Sequence, residues 1–226
     1  MKKRIDDNIK VLIVEDDEIA RENAVEYLEE YFSNIYESSN ALDALKIYEL
    51  KKPDIIITDI QMPKLNGLEF VERIRQKDKK VQVIVLTAFC DKEYLLKAVE
   101  LQLVKYLIKP INEYELDTAI KTSIETLKSD ESNIVKLPNG MVFDLYNLVL
   151  LDGKEIIKLR TKELVFLKLL IKNKNRYVTY QEIEHFVWEE QAMSKDALKT
   201  LVKNLKNKLS KDLILNLSGT GYKIAL

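Results

Sequence analysis

A chain of 226 residues is longer than most single domains, and an apolar content of 46% lets two small domains each bury a core. A single cysteine, Cys90, excludes an intramolecular disulfide, and no apolar run approaches the roughly 18 residues of a membrane span, so we expect a cytoplasmic protein. The net charge of −1 combines 20 basic and 27 acidic residues in 1–133 with 16 basic and 10 acidic residues in 134–226, so it excludes neither a basic nor an acidic partner.

The first half of the chain alternates short apolar runs with amphipathic stretches. The apolar runs predict strands at residues 10–14, 34–37, 54–58, 81–86 and 105–108. Helical spacing predicts helices at residues 18–32, 40–50, 67–77, 91–101 and about 112–127. This alternation predicts an α/β fold over residues 1–127, with a doubly wound, five-stranded parallel sheet. Residues 128–133 are polar and aperiodic, which is typical of a linker.

The second half, residues 134–226, has a different pattern. Short strand-like runs over 134–160 are interrupted by turn sequences at 138–140 and 152–153. A helix with Thr161 as its N-cap follows, then helices at about 180–188 and 196–209 and a hairpin over 213–226. A sheet, three helices and a terminal hairpin predict an α+β winged helix-turn-helix domain. Its charge balance of +6 favours a polyanionic partner, with a chance surface fluctuation as the alternative.

Chemically reactive residues follow four of the five predicted parallel strands. They are Glu15, Asp16 and Asp17 after the first strand, Asp59 after the third, Thr87 after the fourth and Lys109 after the fifth. Because ligands bind at the carboxyl ends of such strands, we expect these side chains to converge. Clustered carboxylates repel unless a cation joins them, and oxygen-only ligands suit Mg²⁺. Asp59 could then attack a phosphoryl group whose oxygens are neutralised by Lys109 and hydrogen-bonded by Thr87.

Each of these signals is commonplace alone, but in this order they resemble a receiver domain, which matches residues 10–127. The matching segments are residues 11–17, 54–63, 66–68, 86–88 and 106–110. The resemblance implies that Asp59 is the phosphoacceptor and that Glu15 and Asp16 form the acidic pair, with Asp16 a direct metal ligand. It further implies that the backbone carbonyl of Gln61 completes the Mg²⁺ ligands with Asp59. Thr87 and Tyr106 would form the switch pair, and Lys109 would contact the phosphoryl group, while Asp17 is interpreted as an acid at a helix start.

Residues 134–226 resemble the winged-helix effector domain of the OmpR/PhoB class. The matching segments are residues 159–164, 183–188, 201–209 and 219–224. A helix with one apolar and one basic face fits the major groove of DNA, although a solvated surface helix has the same spacing. The candidate DNA-contacting residues are Lys199, Lys203, Asn204, Lys206, Lys208, Thr220 and Lys223. Trp188, His185 and Tyr222 are interpreted as packing residues.

The chain departs from this class at two surfaces. Asn204 and Lys206 stand where the class usually has arginines in the DNA-reading helix, and Ser218 stands where the wing often has one. Lysine lacks the bidentate fork that reads guanine, so backbone contact and AT preference are favoured. Activated receivers usually pair through helix four, strand five and helix five. The charged residues expected at that face are replaced by Val104, Lys105 and Thr118, which leaves a homodimer open.

Together the resemblances imply a phosphorylation-controlled transcriptional regulator of a two-component system. A sensor histidine kinase would be the phosphodonor, double-stranded DNA the target, and RNA polymerase a further candidate partner. No enzymatic activity is expected beyond the regulator's own phosphorylation and dephosphorylation, because Gln61 occupies the place of the second catalytic aspartate of a phosphohydrolase. The alternatives are a phosphorylation-independent DNA-binding regulator and a signalling adaptor whose C-terminal domain binds protein. Gln61 and Phe89 are expected to control how easily water reaches the phosphorus of a phosphorylated Asp59. The apolar bulk of Phe89 is expected to exclude this water and so to slow hydrolysis of the aspartyl phosphate.

Overall fold

The computed structural model describes residues 8–88, 91–129, 133–189, 191–210 and 212–226. Phe89, which is predicted to slow hydrolysis of the aspartyl phosphate, lies outside these ranges. Cys90 and residues 130–132 of the predicted linker also lie outside them. Contacts within the chain separate it into two compact units, Met1–Asn133 and Ile134–Leu226. Every helix in the described ranges is too short or too polar to cross a membrane.

The first unit is a parallel five-stranded sheet with alternating helices, which confirms the predicted α/β fold. The strand order is β2-β1-β3-β4-β5, and every neighbouring pair is parallel. The strands are β1 (Lys10–Val14), β2 (Asn34–Ser38), β3 (Ile55–Asp59), β4 (Gln82–Thr87) and β5 (Lys105–Ile108). The helices are α1 (Glu18–Leu28), α2 (Ala41–Lys51), α3 (Gly67–Arg75), α4 (Lys92–Glu100) and α5 (Glu113–Ser129). The order reverses between β1 and β3, where doubly wound sheets bind their ligands.

Short polar side chains start the helices that follow the strands. Asp17 Oδ1 accepts a hydrogen bond from the backbone N–H of Ala20, which confirms Asp17 as the acid at the start of α1. Asn66 begins α3 with a capping box, because Asn66 and Glu69 each accept from the other's backbone N–H. Two residues separate Asp17 from the end of β1, and six separate Asn66 from the end of β3, so both loops at this edge of the sheet are short and end at a capped helix.

The end of the first unit differs from the predicted linker. Helix α5 continues to Ser129 because no glycine or proline stops it, so the first two linker residues are helical. At the other end, Asn133 is buried and its Nδ2 donates to the carbonyl of Leu103, 3.1 Å away. Residues 130–132 lie outside the described ranges, so the linker over residues 128–133 stays a prediction apart from its two helical residues.

The second unit combines two antiparallel sheets with helices, as the winged-helix prediction requires. The four-stranded sheet contains β6 (Ile134–Lys136), β7 (Val142–Asp144), β8 (Val149–Asp152) and β9 (Glu155–Ile157). The helices are α6 (Thr161–Lys172), α7 (Tyr180–Ile183), which continues as a π-helix over Glu184–Trp188, and α8 (Lys195–Lys208). The strands β10 (Val178–Thr179), β11 (Ile214–Leu217) and β12 (Gly221–Ile224) form the second sheet in the order β10-β12-β11. We call the β11–β12 hairpin the wing.

Two local predictions in the second unit are wrong. The N-cap of α6 is Arg160 and not Thr161, because the side chain of Glu163 reaches back to accept from the backbone N–H of Arg160 at 2.8 Å. His185 does not pack in the core. It is exposed on the π-helical turn, with its ring 4.8 Å from that of the half-exposed Phe186.

Gly67 determines how closely α3 approaches the end of β3. Its backbone N–H donates to the carbonyl of Ile60 at 2.9 Å. A Cβ atom at this position would lie 1.9 Å from the carbonyl oxygen of Asp59, a distance that only displacement of the backbone could relieve. Glycine at residue 67 therefore allows the tight turn that follows Asp59.

We expect Gly67→Ala to destabilise the first unit by about 1–3 kcal/mol, because the added methyl group overpacks against backbone that cannot rotate away. Denaturant unfolding measures the loss. Gln76→Ala, at the exposed C-cap of the same helix, is the control and should change stability by less than about 0.5 kcal/mol. Equal stability of Gly67→Ala and wild type would contradict the close packing at Asp59.

Candidate functional site

Three carboxylates converge at the carboxyl ends of β1 and β3. One oxygen from each of Glu15, Asp16 and Asp59 lies within 4.8 Å of the others. Glu15 and Asp59 are buried, at 4% and 7% exposure, whereas Asp16 is exposed. The cluster can hold a cation, and its oxygen-only ligands fit a hard divalent ion better than a transition metal.

Lys109, which follows β5, neutralises the buried part of this cluster. Its Nζ lies 2.6 Å from Asp59 Oδ2 and 2.8 Å from Glu15 Oε2. Burial lowers the pKa of Lys109, but the hydrogen bonds to Asp59 and Glu15 outweigh burial and raise the pKa above its usual value. Burial raises the pKa of Glu15, and the hydrogen bond from Lys109 opposes that rise. The ammonium group is thus held in its charged form between two carboxylates.

The remaining predicted receiver residues surround Asp59. The backbone N–H of Gln61 donates to Asp59 Oδ1 at 3.1 Å, so the two oxygens of this carboxylate have different partners. Thr87 is fully buried at the end of β4. Tyr106 is buried at 9% exposure on β5, where it pairs with Val85, two residues before Thr87. The structure therefore places Thr87 at the carboxyl end of β4, the strand next to that of Asp59, and Tyr106 one strand further away on β5.

The basic residues of α8 mostly line a groove that faces the wing. Lys199, Lys203 and Lys206 surround a cavity of about 560 Å³ together with Asn207, Asn216 and Tyr222. The apolar stripe of α8 is buried against the rest of the unit, as predicted. It consists of Leu198, Leu201, Val202, Leu205 and Leu209. Asn207 lies one turn after Lys203, and the 3.6-residue period could have predicted its place in the groove.

Asn204 lies on the other flank of α8. It is half-buried and lines a second, larger cavity of about 650 Å³ with Thr200, Trp188, Arg160 and Lys162. Thr200 is an exposed polar residue one turn before Asn204, and the sequence prediction missed it although the helical period places it beside Asn204. The candidate DNA-contacting residues of α8 are therefore divided between two grooves.

Two residues of the wing also occupy different surfaces. Thr220 is exposed in the turn between β11 and β12, where its carbonyl accepts from the backbone N–H of Tyr180. Lys223 follows Tyr222 on β12 and therefore lies on the opposite face of the strand. Tyr222 faces the groove next to α8, so Lys223 does not line that groove.

Lys208 does not belong with the other lysines. Its Nζ lies 2.6 Å from Oε2 of Glu163, which is only 3% exposed, and 3.1 Å from the carbonyl oxygen of Lys158. A buried carboxylate requires a compensating charge, so the ammonium group of the partly exposed Lys208 is held against Glu163. Its prediction as a DNA-contacting residue is therefore corrected to a structural role, that of joining α8 to the first turn of α6.

A parallel sheet with a lysine-bridged acidic pocket, followed by a winged helix, defines a response regulator with a DNA-binding output domain. Family models agree, because the response regulator receiver domain matches residues 11–121 and the C-terminal domain of transcriptional regulatory proteins matches residues 153–224. The chain belongs to the OmpR/PhoB family of response regulators. The family predicted from the sequence motifs is thus confirmed.

Individual relatives match almost the full chain. The transcriptional regulatory protein RprY of Bacteroides fragilis is 30% identical and covers 97% of this chain and 96% of its own. The transcriptional regulatory protein CrdR of Helicobacter pylori is 29% identical, with coverages of 95% and 97%. The crystal structure of DrrB, an OmpR/PhoB homologue from Thermotoga maritima, covers 96% of this chain and 99% of its own with a TM-score of 0.73. At 22% identity this last likeness supports the fold alone.

We expect Lys208→Met to destabilise the second unit by about 1–3 kcal/mol, because it leaves the buried Glu163 carboxylate without its cation. Denaturant unfolding of the full chain measures the effect. Lys199→Met is the matched control, since Lys199 is exposed and its nearest carboxylate oxygen, on Asp196, is 3.8 Å away. If both variants lose the same stability, the Glu163–Lys208 pair is not the structural link described above.

Proposed function

We propose that Asp59 accepts a phosphoryl group from a sensor histidine kinase and that this modification changes how much DNA the regulator occupies. The observation that carries the proposal is the environment of Asp59: a buried carboxylate at a strand end, bridged by Lys109 to Glu15 and hydrogen-bonded by the N–H of Gln61. A cluster of three carboxylates, two of them bridged by one lysine, is an arrangement that suits phosphoryl transfer.

The transfer makes one bond and breaks another. A carboxylate oxygen of Asp59 attacks the phosphorus atom, and the bond from phosphorus to the kinase's histidine nitrogen breaks, leaving that nitrogen with the electron pair. Lys109 then moves its hydrogen bond from the carboxylate to a phosphoryl oxygen, and the hydroxyl of Thr87 donates to another. Tyr106 responds to the new position of Thr87, so the two residues act as the switch.

The acidic cluster also fits a magnesium ion. The ligands would be the carboxylates of Glu15, Asp16 and Asp59 and the backbone carbonyl of Gln61, an oxygen set that a hard cation prefers. When bound, the ion offsets the repulsion between these carboxylates and the incoming phosphoryl oxygens. Lys109 supplies one positive charge from the chain itself, and the ion would supply the rest.

We assign the phosphoryl-accepting role to residues 1–127, the DNA-binding role to residues 134–226 and the connecting role to residues 128–133. The regulator acts in the cytoplasm, where its DNA and the catalytic part of a sensor kinase lie, and RNA polymerase is the machinery that it ultimately affects. Beyond its own phosphorylation and dephosphorylation it has no enzymatic reaction, because Gln61 provides no second carboxylate for hydrolysis of an added substrate.

A homodimer of the activated form would need contacts other than the ion pairs usual in this family. Val104 is buried at 2% exposure, and the hydroxyl of Thr118 donates to the carbonyl of Tyr114 within α5. Neither residue can contribute a charge to a partner. Tyr114 and Ile108, at 79% and 44% exposure, are the large apolar side chains that α5 and β5 offer to a second copy.

We expect a small phosphodonor such as acetyl phosphate with Mg²⁺ to add one phosphoryl group, seen as a mass increase of the intact protein. Asp59→Asn removes the nucleophile and should abolish the mass increase. Asp16→Ala removes an expected metal ligand and should abolish the dependence of phosphorylation on Mg²⁺. Asp91→Asn is the matched control, because asparagine caps α4 as well as aspartate does. Equal labelling of Asp59→Asn and wild type would disprove the phosphoacceptor assignment.

For the DNA-binding half, we expect affinity for a short duplex to fall steeply with salt, with a slope of about −0.9 in log–log terms for each phosphate neutralised. Lys203→Ala should reduce that slope by about 0.9, whereas Lys174→Ala, an exposed lysine beyond the end of α6, should not. Fluorescence anisotropy over a salt series measures both. A wild-type chain without affinity for any duplex at low salt would favour the adaptor alternative, in which the second unit binds protein.

A further inference from the structure

The two flanks of α8 carry very different charge. The flank that faces the wing provides Lys199, Lys203 and Lys206 to its groove. The opposite flank contributes Asp196, Ala197, Thr200, Leu201 and Asn204 to the larger groove, a set with one acid and no cation. Apart from Lys208, whose ammonium group is paired with Glu163, helix α8 therefore offers cations to phosphates on only one of its sides.

A helix that enters the major groove meets phosphates on both sides. The groove is about 12 Å wide, close to the 10–12 Å diameter of a helix with its side chains, so one sugar–phosphate strand runs along each flank. If α8 binds DNA as proposed above, the flank with Asn204 must lie against a polyanion without help from α8 itself. Cations for that strand have to come from another element.

The first turn of α6 provides these cations across the groove from Asn204. Arg160 and Lys162 both line the same cavity of about 650 Å³ as Thr200 and Asn204. The second unit contains only two arginines, and the other one, Arg176, is bound to Glu182 through two hydrogen bonds of 3.0 and 2.7 Å. Arginine binds phosphate through a planar fork, which makes Arg160 well suited to a DNA backbone.

The surrounding structure holds the ammonium group of Lys162 and the backbone of Arg160 in position. Lys162 Nζ lies 4.9 Å from the ring centroid of Trp188 and 3.1 Å from Gln191 Oε1, so its ammonium group is kept beside the groove. The backbone N–H of Arg160 donates to Glu163 Oε2, and the same oxygen binds Lys208 of α8. The Glu163–Lys208 pair therefore sets the distance between α8 and the α6 turn.

We infer that this groove seats the phosphates of the DNA strand that runs on the side of α8 away from the wing, and that Arg160 and Lys162 bind them. The inference rests on the proposed DNA-binding function. It assigns one strand to the lysines of α8 and the other to α6, with Asn204 and Thr200 between them at the base edges. The groove also contains the acids Asp196 and Glu163, the second of which is paired with Lys208, so its continuity with α8 is what favours a nucleic acid over an acidic protein as the occupant.

The test uses the full chain and a duplex that the wild type selects from a random-sequence pool. Arg160→Gln with Lys162→Gln should reduce the log–log salt slope by about 2, since each phosphate contact contributes about 0.9. In an ethylation-interference experiment, ethylation of phosphates on both strands should prevent binding of the wild type. In the double variant, interference should be lost at a run of phosphates on one strand and kept on the other.

The matched control is Lys172→Gln with Lys174→Gln, which removes two exposed cations at the far end of α6 and should change neither slope nor interference. Thermal unfolding checks that each variant remains folded. An unchanged interference pattern in the Arg160/Lys162 variant would overturn the inference while leaving DNA binding intact, and so would an equal loss on both strands. If the wild type selects no duplex at all, the proposed DNA-binding function fails, and the inference fails with it.

Discussion

The ion pairs of Lys109 with Asp59 and Glu15 are the interaction around which the first unit is organised. Three carboxylates within 4.8 Å repel strongly at low dielectric, so they can only converge where cationic charge is placed among them. Lys109 follows β5, Asp59 is the last residue of β3 and Glu15 follows β1, so the pocket forms only when strands distant in sequence are in register. The same charge balance makes the pocket responsive, because any group that competes for Lys109 also changes the partners of Asp59.

A comparable pair organises the second unit, but for a structural purpose. Glu163 is buried and accepts from both Lys208 and the backbone N–H of Arg160, so one carboxylate joins the start of α6 to the end of α8. Replacing it with apolar residues of similar volume could preserve stability, as buried ion pairs often allow. It would not preserve the direction in which Arg160 and α8 face each other, which a hydrogen-bonded carboxylate specifies more narrowly than apolar contacts do.

The order of elements and the acidic pocket could be predicted from the sequence because both follow from strand ends. Asp59, Thr87 and Lys109 each come directly after an apolar run, and parallel strands bring their carboxyl ends to one edge. Lys208 and His185 could not be assigned in this way. The period of α8 shows that Lys208 is near its polar face, but only the position of Glu163 on another helix shows that its charge is used internally. His185 lies on a π-helical turn, where the 3.6-residue period no longer tells which face is buried.

The division of α8 into a basic and a nearly uncharged flank changes how its departures from the family should be interpreted. Lysines in place of arginines weaken guanine readout, and taken alone they suggest a protein that holds DNA mainly by its backbone. The other flank, however, carries Thr200 and Asn204, whose side chains can form hydrogen bonds. Both line the groove that also contains Arg160, on the side of α8 away from the lysines. Phosphate attraction on one side of the helix and polar side chains on the other are compatible with base recognition, provided that both strands are held. If DNA binds as we propose, affinity would depend on the lysines and on α6, while the choice of sequence would depend on two small polar residues, Thr200 and Asn204, whose position relative to α6 is fixed by the Glu163–Lys208 pair.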